Sequence, residues 1–185
     1  MNNKSLLPSY RAKLLRRYKK FNQCFIKSNG PWFLRFAKWL RYRGKTRMIL
    51  DRSGDEPYLE RFYLLNLRPL CRITIHCFWK SDDDGGLHDH PWRFAGSKIL
   101  SGGYWEHLED GSKVWCDNKT PLRWFGGEYL HRVELQNEGD RVWTLFIMGP
   151  KYRNWGFVPF DGDKKWVYWK DYITQKRLRL QGRVQ

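Results

Sequence analysis

GGLHDHPW, residues 85–92, is the stretch on which the reading of this chain turns. His88 and His90 are one residue apart. Side chains alternate along a strand, so on a strand both imidazoles point to the same face. Two neighbouring imidazoles can chelate one divalent ion, because neutral His nitrogen suits Fe, Zn, Ni and Cu. A glycine turn, Gly102 and Gly103, follows after a strand's length. A third histidine, His131, lies on a later strand candidate just past Gly126 and Gly127. An antiparallel barrel can bring that strand beside the first pair. Three inward histidines leave open positions for substrate, water or dioxygen.

Outward from this stretch the chain reads as short strands. Residues 61–67 and 71–79 are rich in aromatic and β-branched types. Further strand candidates fall near 87–92, 97–101, 103–108, 113–116, 121–125, 130–135, 142–148 and 155–158. Gly, Asp and Asn punctuate them, as in SDDDGG (81–86), EDGS (109–112) and NEGD (137–140). Many short strands at such spacing indicate a β-sandwich or barrel. Residues 163–180 read as a strand followed by a short helix. Two helices are expected before the strands. One covers 9–21, and one starts at Pro31 with Gly30 as cap and places Phe33, Phe36, Ala37 and Leu40 on one face. The domain reading is therefore a basic helical extension over 1–52, a β-barrel over 53–160 and a basic C-terminal segment over 161–185.

Composition supports an ordered body. The chain has 185 residues, with 17% aromatics including 11 Trp, a content that excludes wholesale disorder. No window holds eighteen uncharged apolar residues, so no membrane-spanning helix is expected. No apolar leader is visible, and Cys24, Cys71, Cys77 and Cys116 include no CxxC pair, so a cytoplasmic location with reduced thiols is expected. The net charge of +16 is uneven: residues 1–52 carry 15 Lys/Arg against one acid, while residues 53–150 carry 11 against 15. Residues 1–52 and 164–183 are thus candidate surfaces for nucleic acid or another polyanion.

The motif HDHPW, the closing Gly102 and the later Gly127 and His131 resemble the cupin superfamily of double-stranded β-helix barrels, over roughly residues 70–158. The opening glycine of the first cupin motif is displaced, with Asp82 in its place. Phe94 and Ala95 stand where that motif carries a glutamate. The resemblance implies a mainly β, jelly-roll fold and a three-His site like that of cysteine dioxygenase-type cupins. The runs GGYWE, HRVEL and VWTLFIMGPKYRNWGF also look like uncharacterised cupin-like proteins of bacteria and phages, which implies the fold and, for a phage protein, the host cytoplasm. His88, His90 and His131 are the expected ligands of one divalent metal, with Fe(II) favoured and Zn, Ni or Mn as alternatives.

Other residues are weighed beside them. Glu106 shares strand parity with Tyr104 and is read as a fourth ligand, a partner of a ligand, a base or an exposed carboxylate. Tyr129 shares parity with His131 and is a candidate for the pocket. Arg153 is a candidate for an anionic substrate group at the barrel mouth. Asp89, between the two histidines, faces away from them and is structural. His76 and His107 are read as packed or surface histidines. The functional expectation is a metal-binding cupin, in one reading a non-haem iron dioxygenase acting on an anionic or nucleic-acid-linked small substrate. The alternatives are a metal-dependent isomerase or hydrolase, and a non-catalytic scaffold that binds nucleic acid or an acidic protein through its basic flanks. A homodimer is compatible with either class.

Overall fold

The computed structural model describes residues 31–51, 56–82, 85–161 and 164–180. The helix expected over 9–21 lies outside the described residues. The chain divides into two compact units, Met1–Gly44 and Lys45–Gln185.

In the first unit, helix α1 spans Trp32–Tyr42. Pro31 is its N-cap rather than its first helical residue, so the helix starts one position later than the sequence suggests. Phe33, Ala37 and Leu40 recur at helical spacing and are buried. Phe36, read as part of the same face, is exposed instead and stacks on Trp39 at 5.3 Å.

The second unit opens with a strand that the sequence reading placed in the helical extension. Strand β1 is Thr46–Leu50, the edge of a sheet. The strands that follow are β2 (Pro57–Leu67), β3 (Cys71–Phe78), β4 (Gly86–His88), β5 (Ala95–Ser101), β6 (Gly103–Leu108) and β7 (Lys113–Asp117). The second half adds β8 (Arg123–Phe125), β9 (His131–Leu135), β10 (Val142–Met148), β11 (Gly156–Pro159), β12 (Val167–Tyr168) and helix α2 (Trp169–Leu180). The strand-then-helix reading of 163–180 matches β12 and α2.

One sheet has the order β1-β2-β3-β10-β5-β8, the other β12-β11-β4-β9-β6-β7. All described pairings are antiparallel. From β3 to β10 the strands pair in a nested way, β3 with β10 and β5 with β8 in one sheet, β4 with β9 and β6 with β7 in the other. That nesting of two Greek keys is the jelly-roll topology.

The two sheets face each other through side chains of period two. From the first sheet Leu59, Phe78, Ile99 and Val142 meet Tyr104, Cys116, Val133 and Leu135 of the second. In β9, His131, Val133 and Leu135 are buried while Arg132 and Glu134 are not. The same period puts Arg72, Thr74, His76 and Phe78 of β3 on one face, opposite in direction to Cys71, Ile73, Ile75 and Cys77. The turn from β5 to β6 needs Gly102, whose φ of +78° suits a residue without a Cβ, and a Cβ there would meet the Arg141 carbonyl at 2.9 Å. Helix α2 packs on β11, with Tyr172 stacked on Phe157 at 4.3 Å.

Candidate metal centre

His88 and His131 are direct cross-strand partners where β4 meets β9. His90 lies beyond the end of β4, which is shorter than the strand expected near 87–92. Its backbone N–H donates to the Gly127 carbonyl at 2.9 Å, outside any strand ladder. The chain stays extended enough that the HxH geometry survives, and the His88 and His90 rings are 5.3 Å apart between centroids. One ligand atom from each of His88, His90 and His131 lies within 4.8 Å of the others. The Nε2 atoms of His90 and His131 are 2.9 Å apart. Adjacent nitrogens around an ion with bonds of about 2.1 Å are separated by about 3.0 Å, so this spacing fits two ligands of one ion. Burial, then the nearby His131, holds the His90 imidazole well below the ordinary histidine value, in the neutral form that a ligand needs.

Two carboxylates stand behind the rings. Glu106, on β6, is diagonal to His131 across the β6–β9 pair. Its Oε1 accepts from His131 Nδ1 at 2.5 Å, and its Oε2 pairs with Arg123 at 2.5 Å. The Cys116 thiol donates to Oε2 at 3.8 Å. Burial alone would raise the Glu106 carboxyl, but the bonds from His131 and Arg123 overcome this and hold it at about 2. Glu106 is fully buried, so the exposed-carboxylate reading is overturned, and its contact is with a histidine's far nitrogen rather than with the three ligand atoms. Asp82 is the second carboxylate, with Oδ2 3.6 Å from His88 Nδ1. It is fixed by the Val133 N–H at 2.7 Å and by the Tyr58 hydroxyl. Both carboxylates sit on Nδ1 sides, which leaves Nε2 of His88 and His131 as the donors for an ion. Carboxylate partners of this kind fix the tautomer and ring orientation of ligating histidines.

His90 and His131, but not His88, open on a cavity of about 700 Å³. His90 and His131 line it, together with His76, Phe125, Phe146, Trp92 and Thr144. His76, read from sequence as a packed or surface histidine, is buried in this wall, stacked on Phe146 at 4.9 Å. Its Nε2 accepts from Arg61 Nε at 3.0 Å and lies 3.0 Å from the Thr74 hydroxyl. Burial, then the adjacent Arg61 charge, pushes His76 well below its ordinary value, which keeps it an acceptor.

The remaining sequence candidates fall outside the cavity wall. Tyr129 does not line it, although its ring is 5.2 Å from both His131 and Phe125. Arg153 is not at the cavity either: it pairs with Asp89 at 3.1 Å. Asp89 also accepts from the Gly156 N–H at 2.6 Å and from Trp166 Nε1 at 2.9 Å, so it ties the HxH segment to β11, as a structural residue does. His107 faces outward and meets Glu134 at 2.6 Å. Asp82, Arg61, Arg72 and Arg123 were missed by the sequence reading. The alternation in CRITIHCF carried a signal for Arg72 and His76: one face of that strand is polar.

No family model matches the chain, and no curated protein resembles it in sequence. Several solved structures are similar. The Fe(II) form of HppE has 8% identity and a TM-score of 0.45, covering 56% of this chain and 55% of that one, so this chain spans about half of that protein's length. Streptomyces Pac13, a nucleoside dehydratase, has 11% identity and a TM-score of 0.44 over 68% and 94% of the two chains. A cupin superfamily protein of Desulfitobacterium hafniense has 12% identity and a TM-score of 0.40 over 50% and 78%. In this chain two nested Greek keys form a double-stranded β-helix, with three histidines gathered between β4, β9 and the segment after β4.

Proposed function

We propose that this protein is a metal-dependent enzyme that acts on a small molecule in the cavity beside His88, His90 and His131. The observation that carries this is the convergence of three histidine donors with a carboxylate behind two of them. A structural packing role would not need ligand nitrogens turned together. A divalent ion bound there supplies Lewis acidity and, as Fe(II), the redox capacity for dioxygen chemistry. The chain's own contribution is positional. Glu106 holds His131, Asp82 faces His88, and Trp92, Phe125 and Phe146 exclude water from the reacting end. Fe(II) and an oxygenase-type reaction are the reading we favour, with Zn, Ni or Mn in a non-oxidative reaction as the alternative.

Metal analysis of anaerobically purified protein tests this, with oxygen uptake measured in parallel. One equivalent of divalent metal is expected, lost in His131→Ala. Unchanged metal content in that variant would remove the three-His reading.

A second reading concerns the basic flank, because α1 shows exposed Trp32, Phe36, Trp39 and Tyr42 beside Arg35, Lys38 and Arg43. Aromatics interleaved with cations suit a polyanion such as nucleic acid. Affinity should then fall steeply with salt and vanish when residues 1–52 are deleted. Cys71, Cys77 and Cys116 are free, and no helix among the described residues is long and apolar enough to cross a membrane. Free thiols favour a cytoplasmic setting.

A further inference from the structure

The cavity wall contributed by β1, β2 and β3 carries three arginines, Arg47, Arg61 and Arg72. Arg47 is the register partner of Arg61, and Arg61 of His76, so these three form a row across adjacent strands. Thr144 extends the row onto β10. All four line the cavity, joined by Arg68 and Arg72. No aspartate or glutamate lines it. Among the described residues, no ion pair reaches Arg47, Arg61, Arg68 or Arg72. Arg123, the other lining arginine, is already matched by Glu106.

Three physical arguments make this arrangement informative. Like charges directly opposite on antiparallel strands are destabilising, and Arg47 faces Arg61 in that way. Arginine cannot escape by giving up its proton, so an uncompensated guanidinium in a wall remains a charge. Arg72 is only 9% exposed, and burial pulls both it and Arg61 below arginine's ordinary range. Arg61 donates to the neutral His76 imidazole and is hydrogen-bonded to the Tyr63 side chain, and these neutral partners orient the guanidinium without discharging it. The Thr144 hydroxyl and Trp92 Nε1 are buried in the same wall with no hydrogen-bond partner among the described residues. A wall that gathers repelling cations and orphaned polar atoms lacks its counter-charge.

We propose that this wall is an anion subsite, and that the small substrate carries a phosphoryl group seated among Arg47, Arg61 and Arg72, with its other end at the histidines. Several guanidinium forks around one point suit a group that presents multiple acceptor oxygens and two negative charges. A cavity of about 700 Å³ takes a small molecule bearing that group, not a polymer. That the ligand is a substrate rests on the metal-centre reading above. The anion subsite itself does not.

The test is calorimetric titration of the full-length chain, as purified, with inorganic phosphate in low-chloride buffer. Saturable one-to-one binding is expected in the wild type and, equally, in His131→Ala. Arg61→Gln and Arg72→Gln should each weaken it by about tenfold or more. Arg47→Gln, at an exposed position, should weaken it in the same direction. The surface variant Lys119→Gln should leave it unchanged. The subsite is overturned if Lys119→Gln weakens binding as much as the arginine variants do, since the charge would then act diffusely. It is overturned if binding disappears in His131→Ala, which would put phosphate on the metal. Succinate binding tighter than phosphate would replace the phosphoryl group with a dicarboxylate. Loss of metal with retained phosphate binding would sink the metal centre and leave the subsite standing.

Discussion

Glu106→Gln puts the design of the histidine centre to its most direct test. The carboxylate joins two partners at 2.5 Å, His131 Nδ1 and Arg123, and has no exposure to water. Glutamine keeps the shape but removes the charge, and its amide N–H₂ cannot accept from either donor. The magnitude follows by two routes. Holding the carboxyl at about 2 rather than 4.5 corresponds to roughly 3 kcal/mol at about 1.4 kcal/mol per pH unit. Removing one partner of a buried pair costs about 3–5 kcal/mol. The Arg123 side chain is 27% exposed, so water takes up part of its lost partner. About 2–3 kcal/mol at neutral pH is the expected loss. The sign with pH is fixed by the depressed carboxyl: its contribution is complete above pH 4.5 and disappears as pH falls towards 2. The gap between wild type and variant should therefore narrow over that window. Equilibrium urea unfolding across pH 2–7 reads it, and chelator competition reads the metal. Loss of a carboxylate behind a ligating histidine lowers metal affinity by about 10–100-fold. A stability loss below about 1 kcal/mol with affinity changed less than about twofold would refute the role assigned to Glu106.

Three further changes probe other parts of the barrel. His76 is held neutral by burial, so the unfolded chain binds the extra proton and stability must fall as pH drops below about 6.5. His76→Gln should reduce that slope by up to about 1.4 kcal/mol per pH unit in metal-free unfolding curves, and an unchanged slope would contradict the buried, neutral assignment. Gly127→Ala would put a Cβ 2.7 Å from the Trp92 carbonyl and 2.8 Å from the His90 carbonyl, both backbone, so it should cost about 1–3 kcal/mol and weaken metal binding together. Thr144→Val removes a buried hydroxyl that has no partner among the described residues, so the ligand-free melting temperature should stay level or rise. A fall of several degrees would show that the hydroxyl is satisfied after all.

Much of the barrel was legible because its strands carry local signals. The expected strands at 103–108 and 142–148 coincide with β6 and β10. The three histidines were legible because HxH is a local pattern and His131 follows its own glycine turn. What stayed hidden depends on register. The alternation in β3 marks Arg72, Thr74 and His76 as a polar face, but only pairing with β2 shows that Arg61 lies opposite His76. Asp82 sat in an acidic turn whose composition suggested solvent, yet it is 2% exposed and faces His88. β1 was lost inside a basic run, since five residues of TRMIL carry little periodicity without the partner that makes them an edge strand. The pairing of Arg153 with Asp89, 64 residues earlier, likewise leaves no local pattern in the sequence.

The charges of this barrel divide into two populations, and the division is what links its structure to its chemistry. Around the histidines the buried acids are matched: Glu106 by Arg123 and His131, Asp82 by the Val133 N–H and Tyr58, Asp89 by Arg153, Gly156 and Trp166. Those pairs fix ring orientation before any ligand arrives, so little reorganisation is left for binding. On the β1–β2–β3 wall the cations have no such acids, although β2 and β3 could have carried them at alternating positions. Were the arginines there only for solubility, they would extend into water, and Arg72 does not. A folded chain that leaves the buried Arg72 and the half-buried Arg61 without an acid in one wall while matching the acids beside the histidines has stability in reserve for an incoming anion. Binding that anion should then stabilise the fold and seat the ligand at once, with its other end turned to the histidines.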